Sequence, residues 1–274
     1  MSAGVIARTL RGFSEALEAT LAAETTARSH GLLQSLDPRV KLVGLLSLVV
    51  SAALSRRLAA MGALFALGIV LALASRLSLR GLAKRVWLVA FAFSFMIAAP
   101  AVFLTPGEAI WRLHLSTGTS LSITAQGVRT ALLLLARVET AVTLSALLVL
   151  TTPWMHLLKA LRTLRVPVEV IVLLAMTHRY VILLAETANQ MFESRQSRMV
   201  GRLSGSEQRR LMVNSGGVLL SKTLEMGDQV YLAMQARGFR GEVRLLDEFR
   251  LRGWDYAAMV GFAVAAGVAV VAGR

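Results

Sequence analysis

Two stretches of this chain run out in the same way. Ser197-Arg198 and Ala236-Arg237-Gly238 each put a small residue before an arginine where a helical pattern ends. A guanidinium binds a carboxylate through two parallel N–H bonds, so an arginine at a helix tip can plug into an acidic groove on another protein. The helix dipole also favours arginine in a last turn, which explains one such ending without any partner. Two endings, each with a small residue that permits close approach, suggest docking as well. A second candidate pair is Arg137 and Glu139, set in an otherwise apolar run. Residues two apart on a helix point in different directions, so each needs its own partner in a bundle or a wet crevice. The pair reads equally as a contact site and as a structural polar clamp.

Other chemistry is missing. No phosphate-cradling G-x-x-x-x-G-K-[ST] loop, H-E-x-x-H or G-x-S-x-G occurs, and cysteine is absent. The four histidines, His30, His114, His156 and His178, lie at spacings unlike a metal site. We therefore expect no catalytic residue, no metal and no cofactor, so any energy for work must come from a partner. The rival reading, an integral membrane enzyme built on Arg137 and Glu139, lacks a nucleophile, paired carboxylates or clustered histidines. A membrane scaffold without transport is a third reading.

The elements that position these residues follow from composition. The chain is 55% apolar and 17% charged with a mean hydropathy of +0.63, which points to a polytopic protein of the cell membrane. Thirty Lys and Arg against 16 Asp and Glu leave +14. In a lipid-embedded chain such an excess reports cytoplasmic loops, and 6% aromatics offer little to stack bases on, so nucleic acid is not an expected partner.

Residues 1–36 hold an amphipathic surface helix, Val5 to Leu21. Residues 37–150 hold four membrane helices. Asp37 caps the first, Pro38 suits its first turn, and Arg39 and Lys41 are expected to snorkel to headgroups. The spans run Val40 to Leu54, Leu58 to Ala74, Val86 to Leu104 and Val128 to Leu150, with a polar outer loop from Thr105 to Gly127. Arg76, Arg80, Lys84 and Arg85 mark the loop before the third as cytoplasmic. Residues 151–253 form a basic helical insert: a short helix ended by Val166-Pro167, a long helix from Val168 to about Met199, and a second from a capping box at Ser204 to Arg237, which Gly238 closes. Gly216-Gly217 is read as a close crossing of the two long helices, with a kink as the alternative. The first long helix is greasy enough to span through Ala185, but His178, Arg179 and Glu169 oppose insertion, and crossing would carry the downstream arginines to the outer side. Residues 254–274 give a fifth span. The fold class is all-α: five transmembrane helices plus a cytoplasmic coupling domain of three helices.

These residues resemble the transmembrane T component of energy-coupling-factor (ECF) transporters, the cobalt-type Q family. The resemblance rests on Asp37-Pro38-Arg39-Val40-Lys41, on Thr151-Thr152-Pro153 with Leu157-Leu158-Lys159-Ala160-Leu161 and Val166-Pro167, on Arg179-Tyr180, and on Gln235-Ala236-Arg237-Gly238. It implies that Arg198 and Arg237 dock into two ABC-type ATPases. Ser197 and Met199 depart from the usual Ala-Arg-Gly. It implies too that the apolar faces of the long helices, around Leu174, His178, Val181 and Ile182, cradle a substrate-binding membrane subunit. Cobalt or nickel is the implied cargo, with a vitamin such as biotin as the alternative.

Overall fold

The computed structural model describes residues 12, 25–27, 31–105, 109–114, 120–198, 205–239 and 253–274. The Val5 to Leu21 helix, the Ser204 cap and Met199 lie outside them. The chain forms two compact units, Glu24–Leu157 with Phe249–Arg274, and a second containing Leu158–Glu248.

In the first unit, a short helix α1 (Leu32–Ser35) leads into α2 (Pro38–Leu54) and α3 (Leu58–Ala74). Pro38 sits in the first turn of α2, where its missing N–H costs nothing, and the Asp37 side chain accepts the Arg39 N–H. Leu79–Leu82 (α4), a π-helical turn Ala83–Trp87 and α5 (Leu88–Leu104) make one continuous rod. Thr105 to Gly127, expected to be only a polar loop, instead carries two antiparallel strands, β1 (Ala109–His114) and β2 (Ser120–Thr124). Leu121 and Ile123 alternate with Ser120, Ser122 and Thr124, a period-two pattern hidden by the Gly, Ser and Thr around it. Thr124 then caps α6 (Ala125–Thr151) by accepting the Gly127 N–H. The unit closes with α10 (Gly253–Gly273).

The core lies where α2, α3, α6 and α10 meet, around Leu45, Leu48, Leu64, Leu144, Leu147 and Phe262. Gly44 permits the approach of α10: a Cβ there would run into the Phe262 ring. Ser94 and Ala98 of α5 are buried, and Trp87 Nε1 donates to Thr143 Oγ1 of α6 at 2.9 Å.

Hydrogen bonds fix which helix ends coincide. The Lys41 ammonium donates to the Thr151 carbonyl at the end of α6, and the Asp37 N–H donates to Asp255 Oδ1 at the start of α10. Leu33 and Gln34 bond Ser75, just past α3, at that same end. At the far end Arg56 N–H donates to the Gly273 carbonyl. Hence α2 and α10 run parallel and α6 antiparallel to both, and the chain leaves the bundle after Thr151 and re-enters at Gly253 at one and the same end.

The short helix α7 (Trp154–Thr163) is followed by α8 (Val168–Ser197) and α9 (Gly205–Ala236). The latter two touch over a short stretch. The expected crossing at Gly216-Gly217 is not found: a Cβ on either glycine would meet nothing. By length and composition three described helices qualify to cross a membrane: α6, Val168–Arg195 of α8, and α10. Leu58–Ala74 and Leu88–Pro100 are shorter apolar helices.

Three helices stop by the same device. After α3, α7 and α9 a residue turns into the left-handed region: Arg76 at φ 55, Arg165 at φ 65 and Gly238 at φ 78. In each case the next N–H reaches five residues back, Leu77 to Ala72, Val166 to Leu161 and Phe239 to Met234. The end of α7, which the sequence attributes to Val166-Pro167, is thus set at Arg165. Only glycine enters this region freely; an arginine there costs about 1 kcal/mol.

Candidate coupling site

Ser197 is the last residue of α8, and its Oγ donates back to the Glu193 carbonyl at 3.0 Å. Arg198 N–H caps the Arg195 carbonyl, and Ser197 and Arg198 are both exposed. At the end of α9, Arg237 N–H still reaches Met234 and Ala233, while Gly238 N–H turns to Gln235 and Phe239 N–H to Met234. Arg237 is therefore the last residue held by the helix, and Gly238 swings the chain away from it. Ala236, Arg237 and Gly238 are all exposed. Each rod presents a positively charged tip at the negative end of its dipole, a stable place for a cation and an open one. Gly238→Ala is expected to speed amide exchange at Phe239 about fivefold, the ~1 kcal/mol of left-handed strain, while Gly238→Asn, which tolerates that region, changes it less. Exchange measured residue by residue on the purified protein checks this.

Of the residues assigned to a partner face on α8, Val181 is exposed, whereas Leu174, His178 and Ile182 are half-buried. The open stripe is the neighbouring one, Val170, Leu173, Thr177 and Val181, at helical spacing. The Arg179 guanidinium lies 5.8 Å from the centre of the Tyr180 ring. On α9, Val213, Leu220, Leu224 and Tyr231 form a further exposed apolar stripe.

Arg137 and Glu139 do not pair. Arg137 donates to the Ser55 carbonyl at 2.9 Å, which sets it level with the α2–α3 turn at the far end. Both Glu139 carboxylate oxygens are buried with no hydrogen-bond partner among the described residues. No three His, Asp or Glu side chains among the described residues converge as metal ligands.

The residue that sequence reasoning misjudged is Lys41. Expected to snorkel, it is 1% exposed, tied to Thr151 and offset by the carboxylates of Asp37 and Asp255. This cluster joins two motifs, Asp37-Pro38-Arg39-Val40-Lys41 and Thr151-Thr152-Pro153, and it sits where the insert leaves and re-enters. Asp255 was overlooked, although a lone carboxylate at the head of an apolar helix is a signal for a buried partner.

The family model of the cobalt transport protein CbiQ matches residues 30–246, which carry both arginine tips and the Lys41 motif. The chain belongs to the CbiQ family. Its relatives include a protein of uncharacterised function from Methanocaldococcus jannaschii, 32% identical over 223 residues, covering 81% of this chain and 76% of that protein. The cobalt transport protein CbiQ of Rhodobacter capsulatus is 31% identical over 150 residues, 54% of this chain and 59% of its own. The energy-coupling factor transporter transmembrane protein EcfT of Limosilactobacillus fermentum is 27% identical over 225 residues, 76% of this chain and 80% of its own. This CbiQ-family chain is accordingly a multi-pass membrane component of an ECF-type transporter, and its family is one of transport rather than catalysis.

Proposed function

We infer that this chain is the coupling subunit of an ECF-type importer. Ser197-Arg198 and Ala236-Arg237-Gly238 dock into two ABC-type ATPases, and the open stripes of α8 and α9 meet a substrate-binding membrane subunit. ATP-driven movement of the two tips then shifts that subunit. The observation that carries the reading is the pair of exposed arginines, each ending one of the two longest helices.

The division of the chain supports it. Residues 37–150 supply four spans and 254–274 the fifth, while 151–253 stay on the cytoplasmic side. Because the insert leaves and re-enters at one end of the bundle, it crosses the membrane an even number of times. The helix α9 carries Glu207, Arg209, Arg210, Lys222, Glu225 and Asp228, too many charges for a span. A crossing by α8 alone is thus disfavoured despite its apolar length. Charge agrees: 15 of the 30 Lys and Arg fall within 151–253, as cytoplasmic segments require.

Cobalt, the cargo in the name of the CbiQ family, is favoured, with nickel beside it; a vitamin such as biotin is the second reading. The test is co-expression with the candidate ATPases and membrane subunit, followed by capture on the tagged chain and uptake of radioactive cobalt into vesicles. Capture with ATP-dependent uptake is the expected outcome. A chain that purifies intact without ATPases in the presence of both overturns the reading.

A further inference from the structure

We propose that the rod from Leu79 to Leu104, with Arg76 beside it, is a binding site for an acidic phospholipid. Arg80, Lys84, Leu88, Phe91 and Phe95 follow one another at intervals of four, four, three and four. Residues so spaced line one side of a helix, and all five are exposed, Leu88 by 69%, Phe91 by 52% and Phe95 by 54%. The side is cationic at its base and wholly apolar above it. The rings of Phe91 and Phe95 stack with centroids 6.0 Å apart, making a continuous wall.

The dimensions fit one lipid leaflet. At about 1.5 Å per residue, Lys84 to Phe95 spans roughly 16 Å, and half of a hydrocarbon core is about 15 Å. An anionic headgroup at Arg80 and Lys84 would lay its acyl chains along Leu88, Phe91 and Phe95. The flank next to this stripe is already committed, since Ser94 and Ala98 are buried and Trp87 is bonded to Thr143.

Arg76 supplies an independent observation. It closes α3 at φ 55, where glycine would be free of strain, and its side chain is exposed in the loop that leads to Arg80. Its guanidinium adds a third cation to those of Arg80 and Lys84. Together the three cations and the apolar wall match a phosphate-bearing headgroup joined to hydrocarbon, which neither a soluble anion nor a neutral lipid reproduces.

Arg76→Gly separates this role from a structural one, because it removes the charge and relieves the backbone at once. The full chain is prepared in detergent and in nanodiscs of phosphatidylcholine, with and without phosphatidylglycerol. Retained phosphatidylglycerol is counted by native mass spectrometry, and unfolding is followed by temperature. The wild type is expected to retain phosphatidylglycerol and to melt higher with it than without. Arg76→Gly is expected to melt no lower than the wild type in phosphatidylcholine, yet to bind phosphatidylglycerol about fivefold more weakly. That factor is the ~1 kcal/mol of one cation at an anionic surface converted at about 1.4 kcal/mol per decade. Arg80→Gln loses a similar factor. Arg165→Gly, which relieves the same strain at the end of α7, keeps full binding. Unchanged phosphatidylglycerol binding by both Arg76→Gly and Arg80→Gln would overturn the site, as would a full stabilising effect from glycerol phosphate alone.

Discussion

The double variant Arg198→Glu with Arg237→Glu is expected to lose capture of the ATPases, and with it ATP-driven uptake, while remaining folded. Both arginines are exposed at helix tips, so their replacement leaves no buried group unpaired, and substitutions of that kind usually move stability by no more than about 0.5 kcal/mol. On the proposed docking, the same side chains would become desolvated partners of carboxylates. Removing one member of such a pair costs about 2–5 kcal/mol, so two together weaken binding at least about a thousandfold, before like-charge repulsion is counted. Arg198→Lys with Arg237→Lys keeps the charge but loses the bidentate fork, and belongs between wild type and the reversal. Arg237 is the more sensitive of the two, because the Gly238 turn fixes how it is presented. Pull-down with tagged ATPases, alongside a melting curve for each variant, checks the expectation. Strong capture by a folded double glutamate variant excludes the arginine tips as the docking points.

Local sequence carried much of this. An apolar run bounded by charged turns is nearly enough to define an apolar helix, and Leu58–Ala74 has the limits that its pattern suggests. The second arginine tip was legible for the same reason: Ala236-Arg237-Gly238 holds its own stop signal, a glycine that enters the left-handed region without strain. What escaped depends on groups remote in sequence or on competing local signals. The Asp37–Asp255 hydrogen bond spans 218 residues, so nothing near Lys41 distinguishes a buried ammonium from one that reaches for headgroups. Arg165 was passed over because Pro167 offered a sufficient reason for α7 to end, yet the backbone turns two residues earlier. The exposed stripe of α8 is displaced from Leu174, His178 and Ile182 to Val170, Leu173 and Thr177, with Val181 common to both. Greasiness on nearly every side of a helix leaves periodicity unable to choose among its faces.

Lys41→Met is expected to be among the most damaging single substitutions in the bundle, although methionine matches the length of the lysine stem and prefers apolar surroundings. The loss is electrostatic. Asp37 and Asp255 are 8% and 4% exposed, and removing the ammonium takes away a buried positive charge that offsets both carboxylates, while the Thr151 carbonyl loses its donor. Breaking a buried ionic pair in this way costs about 3–5 kcal/mol, or roughly 10 °C in melting temperature for a chain of this size. Adding Asp255→Asn to Lys41→Met should recover part of that, because one of the two carboxylates that the ammonium offset is then gone while the Asp37 N–H keeps an oxygen to donate to. Additive losses in the pair would mean that charge balance is not what Lys41 provides. The position of the cluster gives the substitution a second consequence. Thr151 and Asp255 lie on either side of the insert, and Lys41 is bonded to the first and offsets the charge of the second. On the proposed coupling role, the chain segments, or necks, beside Thr151 and Asp255 are the covalent routes by which a force at Arg198 and Arg237 reaches the bundle. In a membrane where Lys41→Met still folds, ATPase capture should survive and uptake per ATP hydrolysed should fall; equal coupling in the variant and the wild type would show that the necks transmit force without this clamp.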